Sequence, residues 1–414
     1  MHSNVKTTGY MNENNMKKKI FEGLSGFDIS GKKILTIIPD YTRTFPVNKF
    51  FKILFEYSNK SFVKLDFLIA SGTHPPMTAE RICSHFGVTV DEWNTTYKDI
   101  NAFNHSFQSE DELKVIGEIT GEEVYEISQG RLDYPIKVEI NKRIFEYDYL
   151  VIMGPVFPHE VAGFSGGNKY LFPGISGEEI INQTHWLSAL ITNCRINGFK
   201  DNPVRGIINR AAEFVGIPII CICGVMRHKE LVDFFIGGVN EAWSDAVSLS
   251  AKLNIVYKEK PFKKVIGIAS PMYDELWTAG KVMYKLEPVI EDGGELIIYS
   301  PGLAKISEVH GTMIEKVGYH TIQYIVKQIE KYKDIPGRVL AHSSHVKGTG
   351  TFDDGVEKPR INVTLATKIS KETCEKINLG FLDYNSINIS EFENREDEGI
   401  MMVKNAGEVL YRVK

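Results

Sequence analysis

The sequence predicts an α/β protein of two domains with largely parallel sheets, and three observations carry that reading. Short β-branched runs alternate with stretches whose apolar residues recur at helical spacing, the pattern of repeated β-α-β units. Polar or Gly/Pro-rich turns separate strand from helix each time. The length, 414 residues, exceeds the roughly 250–300 residues at which one hydrophobic core stops growing, so two domains are expected.

The elements follow in order. Residues 34–38 form the first strand and lead through the polar turn 39–46 to a helix carrying Phe50, Phe51, Leu54 and Tyr57 on one face. Residues 66–70 form a second strand, and Ser71-Gly-Thr-His-Pro-Pro-Met77 follows it. The next helix begins near Thr78, a favoured capping residue with Glu80 in the first turn. Residues 149–153 form a third strand and run into the glycine-rich stretch 159–174. Cys221 and Cys223 sit in an apolar run that reads as a buried strand with core thiols. A second series starts with strand 264–269 after the charged segment 257–261, giving expected domains 1–257 and 258–414. That second domain should contain a helix over about 273–289, a strand over 295–299 and a turn at 300–302. Residues 343–355 open like a loop. No internal repeat or low-complexity tract is visible.

Composition excludes several classes. The chain is 43% hydrophobic and 24% charged, with 53 acids against 48 bases and a formal charge of -5, so broad nucleic-acid binding is not expected. Lys17, Lys18 and Lys19 read as the solvated start of an exposed helix. The amino terminus lacks the apolar core of a signal peptide, and no run approaches about 18 apolar residues, so a cytoplasmic protein with no membrane partner is expected. Five scattered cysteines fit a reducing compartment.

The candidate chemistry falls in the loops after strands, where open α/β sheets bind ligands. Asp40, Thr42 and Arg43 follow the first strand, His74 the second, and His159 and Lys169 the third. Pro75 and Pro76 restrict the loop beside His74, and a rigid imidazole suits acid/base work. Gly163, Gly166 and Gly167 let backbone N–H groups approach an anion. Asn168-Lys169-Tyr170 is not the Gly-Lys-Ser/Thr ending of a nucleotide-hydrolysing loop. Lys169 is compatible with a surface cation, a phosphate ligand or a nucleophile joined to a cofactor, and spacing does not choose among them. His185 has no second ligand at zinc spacing, so a metal there points to one brought by an organic cofactor. Trp277 and Lys281 share a face of the expected helix, with Thr278 beside them, and could clamp a carboxylate.

Three pieces, Asp40-Tyr-Thr-Arg43, Ser71-Gly-Thr-His74, and the run from His159 through Gly163-Phe-Ser-Gly-Gly-Asn-Lys169 and Pro173-Gly174 to His185, resemble the nickel-pincer lactate racemase family in order and spacing. The resemblance covers most of the chain. It implies two α/β domains enclosing an active-site cleft. It also implies a cofactor, nickel held by pyridinium-3,5-bisthiocarboxylic acid mononucleotide (the nickel-pincer nucleotide), supplied by cofactor-biosynthesis proteins. By that resemblance Lys169 holds the cofactor covalently, His185 ligates nickel, and Asp40, Thr42, Gly166 and Gly167 line the cofactor. Arg43, Trp277, Thr278 and Lys281 would bind substrate, and His74 and His159 would be acid/base residues on its opposite faces. The family's Tyr-Gln-x-x-Lys is here Trp277-Thr278-Ala-Gly-Lys281. The expected substrate therefore extends from lactate to another 2-hydroxy acid or a sugar acid. The leading expectation is an isomerase, a 2-hydroxy acid racemase or epimerase. The competitors are a sugar or polyol epimerase with the same cofactor, and a non-catalytic cofactor-binding protein.

Overall fold

A computed structural model describes residues 10–414; residues 1–9, read above for a signal peptide, lie outside them. Helix α1 (Glu13–Leu24) is capped by Asn12. Lys17, Lys18 and Lys19 lie inside this helix rather than at its start, and Lys17 and Lys19 meet Glu56 and Asp233 at 2.6 Å. Two of the three thus face acids on neighbouring elements while staying partly exposed to solvent.

The first sheet takes shape from β1 (Lys33–Pro39), α2 (Val47–Ser61), β2 (Lys64–Ala70), α3 (Ala79–Phe86), β3 (Ala102–Asn104) and β4 (Tyr149–Pro155). Helix α4 (Glu178–Ile191), α5 (Pro203–Ala212), β5 (Ile219–Arg227), β6 (Glu230–Gly237) and α6 (Val239–Asn254) complete it. Its order is β6-β5-β4-β1-β2-β3, parallel except for the β5/β6 hairpin. Thr78 caps α3 as expected, accepting Arg81 N–H. Beyond Lys33 every residue of β1 is buried, as are all of β4 after Tyr149, the run expected of a parallel strand covered on both faces. On one face Phe51 packs against Phe86 and Phe67 at ring-centroid distances of 4.5 and 5.4 Å, fastening α2 and α3 to β2. Cys221 and Cys223 are buried in β5, as core thiols should be.

The second sheet comes from β7 (Phe262–Ala269), α7 (Leu276–Ala279), α8 (Lys281–Leu286), β8 (Ile290–Ser300), α9 (Gly337–Lys347), β9 (Asn362–Thr367), β10 (Gly380–Phe381) and β11 (Ile400–Ala406). Its order is β10-β9-β8-β7-β11, parallel throughout. Strands of the first sheet precede residue 258 and those of the second follow it. Residues 257–261 are not wholly a linker, because Ile255–Lys258 pairs in parallel with Leu410–Val413. Arg412 then donates to the carbonyls of Cys194 and Asn197, tying the carboxyl-terminal strand back to the first half.

Two expectations are corrected. The helix over 273–289 is two short helices, α7 and α8, tightened at Gly280, then a 3-10 turn containing Pro288. Gly280 packs so closely on α9 that a Cβ would lie 2.9 Å from Val346. Ser343 is helical rather than loop-like. The α9 hydroxyls bond to carbonyls, Ser343 to Gly318 O and Ser344 to Ala341 O, and the helix is buried against α4. Asp354 and Gly355, both at positive φ, turn a hairpin between Gly350–Asp353 and Val356–Pro359. Among the described residues no helix is long and apolar enough to cross a membrane.

Each sheet has a point where the chain reverses its direction of growth, between β1 and β4 in the first and between β7 and β11 in the second. Ligand crevices form outside the carboxyl ends of the strands at such points.

Candidate active site

The loops that leave β1, β2 and β4 meet α7, α8 and α9 around one cleft of about 1090 Å³, open solvent at its mouth included. That is room for a small-molecule ligand at the upper end of the usual size range. Asp40, Arg43, His74, His159, Gly166, Lys169 and His185 line it from the first half, and Trp277, Thr278 and Lys281 from the second. Thr42 and Gly167 are not on this wall. Thr42 stands behind Asp40 and faces a smaller adjoining cavity, and Gly167 lies beneath the loop against Trp243.

The two histidines engage the same ring nitrogen, Nδ1, but with opposite partners. His74 Nδ1 lies 2.5 Å from Asp40 Oδ2, while Thr42 N–H and Oγ1–H donate to Asp40 Oδ1 at 2.9 and 2.7 Å. Burial opposes charge on Asp40, but His74, Arg43 and Thr42 outweigh it and hold the carboxyl well below the usual range. A carboxylate only accepts, so His74 carries its proton on Nδ1 and leaves Nε2 free to take another. On His159 the arrangement is reversed, since Nδ1 accepts Val161 N–H at 3.1 Å. A neutral His159 therefore bears its proton on Nε2. Burial, reinforced by the charges of Lys169, Arg43 and Lys285, pushes its pKa well below that of free histidine.

Lys169 follows a turn only glycine makes easily. Gly166 has φ 82°, and a Cβ there would lie 2.7 Å from Val156 Cγ2. Arg205, buried in α5, donates to the carbonyls of Gly166, Ala162 and Phe164, and its guanidinium stacks 4.2 Å from the Trp243 ring. Trp243 Nε1–H closes the brace on Ser165 O at 2.8 Å. Enclosure in the cleft, with Arg43 nearby, lowers the Lys169 pKa to about 7, so a large share of the amine is uncharged and nucleophilic at neutral pH.

His185 donates from Nδ1 to Ile181 O at 2.7 Å, which leaves its Nε2 lone pair unengaged. Burial lowers its pKa to about 4, so the ring is neutral as a ligand must be. Among the described residues no group of three His, Cys, Asp or Glu side chains is placed to hold a metal ion. A metal at His185 would take its other donors from a bound group. The donor set therefore fits a tethered metal cofactor, with a free amine at Lys169, a free imidazole nitrogen at His185 and a glycine cradle between strand and lysine.

The second half supplies Lys281, whose pKa is lowered to about 7 by burial and then Arg43, and which sits 4.8 Å from the Tyr273 ring centroid. Thr278 Oγ1 donates to Glu275 O at 2.9 Å, so toward a ligand it can only accept. Trp277 is held between His310 and His342, each at 4.2 Å.

Several residues at the cleft were not singled out in the sequence. Glu160 and Tyr284 line it, as do Arg338, His342 and His345 from α9. Lys285 ties the halves together, Nζ donating to Pro158 O at 2.6 Å. Glu160 adjoins His159 in the chain, and His342 and His345 stand at helical spacing, so both signals were present. By contrast His105 is structural: it is buried, its Nε2 bonding to Ser176 O and its Nδ1 accepting from Asn141.

Residues 21–196 match the family described as the lactate racemase N-terminal domain. The lactate racemase of Thermoanaerobacterium thermosaccharolyticum is 28% identical over 287 residues, 68% of this chain and 61% of that protein. The lactate racemase of Lactiplantibacillus plantarum is 23% identical over 274 residues, 64% of this chain and 59% of that protein. The chain thus spans about three fifths of the length of the curated relatives it matches. Among solved structures, a protein of Thermotoga maritima superposes with TM-score 0.90 at 30% identity, covering 98% of this chain and 99% of that one. The lactate racemase apoprotein from T. thermosaccharolyticum shares the fold, with TM-score 0.72 at 21% identity over 98% of this chain and 93% of that one.

Proposed function

The chain belongs to the lactate racemase family, and from that premise we propose that it is a racemase or epimerase inverting the hydroxyl-bearing carbon of a 2-hydroxy acid. The observation that carries the reading is the pairing of His74, free at Nε2, with His159, protonated at Nε2, in one cleft with Lys169 and His185. Inversion needs a proton-transfer group at each face of the reacting carbon, and these two rings stand in one site with Nε2 of each left for the substrate.

Lys169 would hold the nickel-pincer nucleotide covalently and His185 would ligate its nickel, with Gly166 and Asp40 beside it. When bound, that group supplies a reversible acceptor for the substrate's α-hydrogen. His74 Nε2 takes the hydroxyl proton while Asp40 holds the resulting imidazolium. His159 serves the hydroxyl on the opposite face. Arg43 and Lys281 meet the carboxylate, Arg43 through its fork. Asp40 and Thr42 keep His74 in register, and Arg205 with Trp243 keep Lys169 in place.

The wall from the second half carries Trp277, Tyr284, Arg338, His342 and His345 in place of an aliphatic slot. That favours a substrate with a polar side chain, a sugar acid included, over lactate and its methyl group. A polyol epimerase is separated from this reading by whether the substrate carboxylate is required.

The test is intact mass and nickel content of protein co-produced with the cofactor-biosynthesis proteins, with Lys169→Ala in parallel. The expected result is a mass increment and bound nickel that both vanish in the variant. Absence of adduct and nickel from the wild type under those conditions removes the reading.

A further inference from the structure

His159 cannot cycle as donor and acceptor with the partner it has at rest. The requirement rests on the racemase reading: each histidine yields a proton in one direction and takes one in the other. A neutral ring whose single proton sits on Nε2 becomes an anion on losing it, out of reach for histidine near neutral pH. To give up that proton and stay neutral, His159 must also hold one on Nδ1. Val161 N–H, which Nδ1 now faces at 3.1 Å, is a donor and cannot accept it.

A carboxylate stands within reach. Glu160 Oε2 is 3.5 Å from His159 Nδ1, so a shift of under about 1 Å gives a charge-assisted hydrogen bond. Glu160 lines both the cleft and the adjoining cavity, and Lys285 and Arg43 face it with compensating charge. The charges around His159 from other elements, on Lys169, Arg43 and Lys285, all disfavour its imidazolium. A charged ring there needs an anion.

We propose that Glu160 is the positioning residue of His159: its carboxylate accepts Nδ1–H in the doubly protonated and the base-ready forms of the ring, displacing the Val161 amide. Asp40 performs the same service permanently for His74. The protons balance. In one direction the substrate hydroxyl proton passes to His74 Nε2, and the Nε2 proton of doubly protonated His159 passes to the hydroxyl forming on the other face. His74 ends doubly protonated and His159 ends neutral with its proton on Nδ1. The return reverses both transfers.

The test uses the cofactor-loaded protein and the isosteric variant Glu160→Gln. The variant should lose kcat/KM on the order of 100-fold, by the same factor from either isomer. Its solvent isotope effect should rise and its α-deuterium effect fall, as proton transfer at His159 becomes limiting. A loss within about threefold, or a larger loss with both isotope effects unchanged, overturns the proposal. A second measurement needs no turnover: nitrogen-15 NMR of the ring nitrogens in unloaded protein, with His159→Gln assigning the signal. Wild-type His159 should gain its Nδ1 proton at higher pH than in Glu160→Gln; identical titrations overturn the proposal. If loaded wild type turns over no 2-hydroxy acid, the functional reading fails, and this titration alone decides the role of Glu160.

Discussion

Replacing Asp40 by Asn isolates the tautomer of His74. The side chain keeps its shape, and one oxygen can still accept from Thr42 N–H and Oγ1–H, now at 2.9 and 2.7 Å. The amide NH2 then faces His74 Nδ1, where a carboxylate oxygen lies 2.5 Å away in the native protein. Two donors cannot face each other, so the imidazole proton moves to Nε2 and the base is lost. General-base catalysis contributes about 100- to 10,000-fold, or roughly 3–5 kcal/mol of barrier. The accompanying loss of a hydrogen bond to a charged group costs the fold about 1.5–3 kcal/mol. The assay is optical rotation of a single enantiomer under the loaded variant, with thermal unfolding and intact mass confirming a folded, loaded protein. Activity within tenfold of wild type in such a protein refutes the claim that Asp40 sets the proton on His74.

Three further outcomes follow from the geometry. Lys169, with a pKa near 7, should react with an amine-directed acylating reagent in unloaded protein with a midpoint near pH 7, ahead of exposed lysines; peptide mass mapping reads the site. Lys169, Lys281 and Lys285 are depressed by burial to about 7, 7 and 8, so above pH 7 the unfolded chain binds more protons than the native one and stability rises with pH. The melting temperature of unloaded protein should therefore climb between about pH 7 and 8.5, and climb less in Lys281→Met; a flat profile contradicts the burial argument. Gly166→Ala should cost about 1–3 kcal/mol for a strained backbone at φ 82°, measured by denaturant unfolding, and should slow acylation of Lys169 because the loop that carries it shifts.

Much of the fold was legible because its signals are local. A β-branched run closed by a Gly/Pro turn identifies a strand and its carboxyl end together, so the loops bearing Asp40, His74 and His159 could be placed at one edge. Thr78 announced its helix through capping chemistry that needs no distant partner. The end of α9 from Ser343 onward reads as a loop in the sequence because its polar side chains look solvated. Its serine hydroxyls instead bond to backbone carbonyls, and His345 Nε2 meets Ser188 Oγ at 2.9 Å across the two halves. Those partners are distant in sequence, and so the wall built from Arg338, His342 and His345 went unseen. Thr42 and Gly167, expected to line the cofactor, lie in the loops of the site but behind the wall of the cleft. Which ring nitrogen of each histidine carries the proton depends on a carboxylate for His74 and a backbone amide for His159. No spacing rule reports that difference.

The most direct test is to incubate loaded protein, verified by its mass increment and bound nickel, with single enantiomers or epimers of 2-hydroxy acids deuterated at C2. The panel should run from lactate to longer polyhydroxylated acids. The prediction is inversion at C2 of at least one acid with the deuterium kept in the product, and none when the carboxylate is replaced by a hydroxymethyl group. A verified, loaded protein that inverts no 2-hydroxy acid, or that inverts the carboxylate-free analogue equally well, contradicts the assignment.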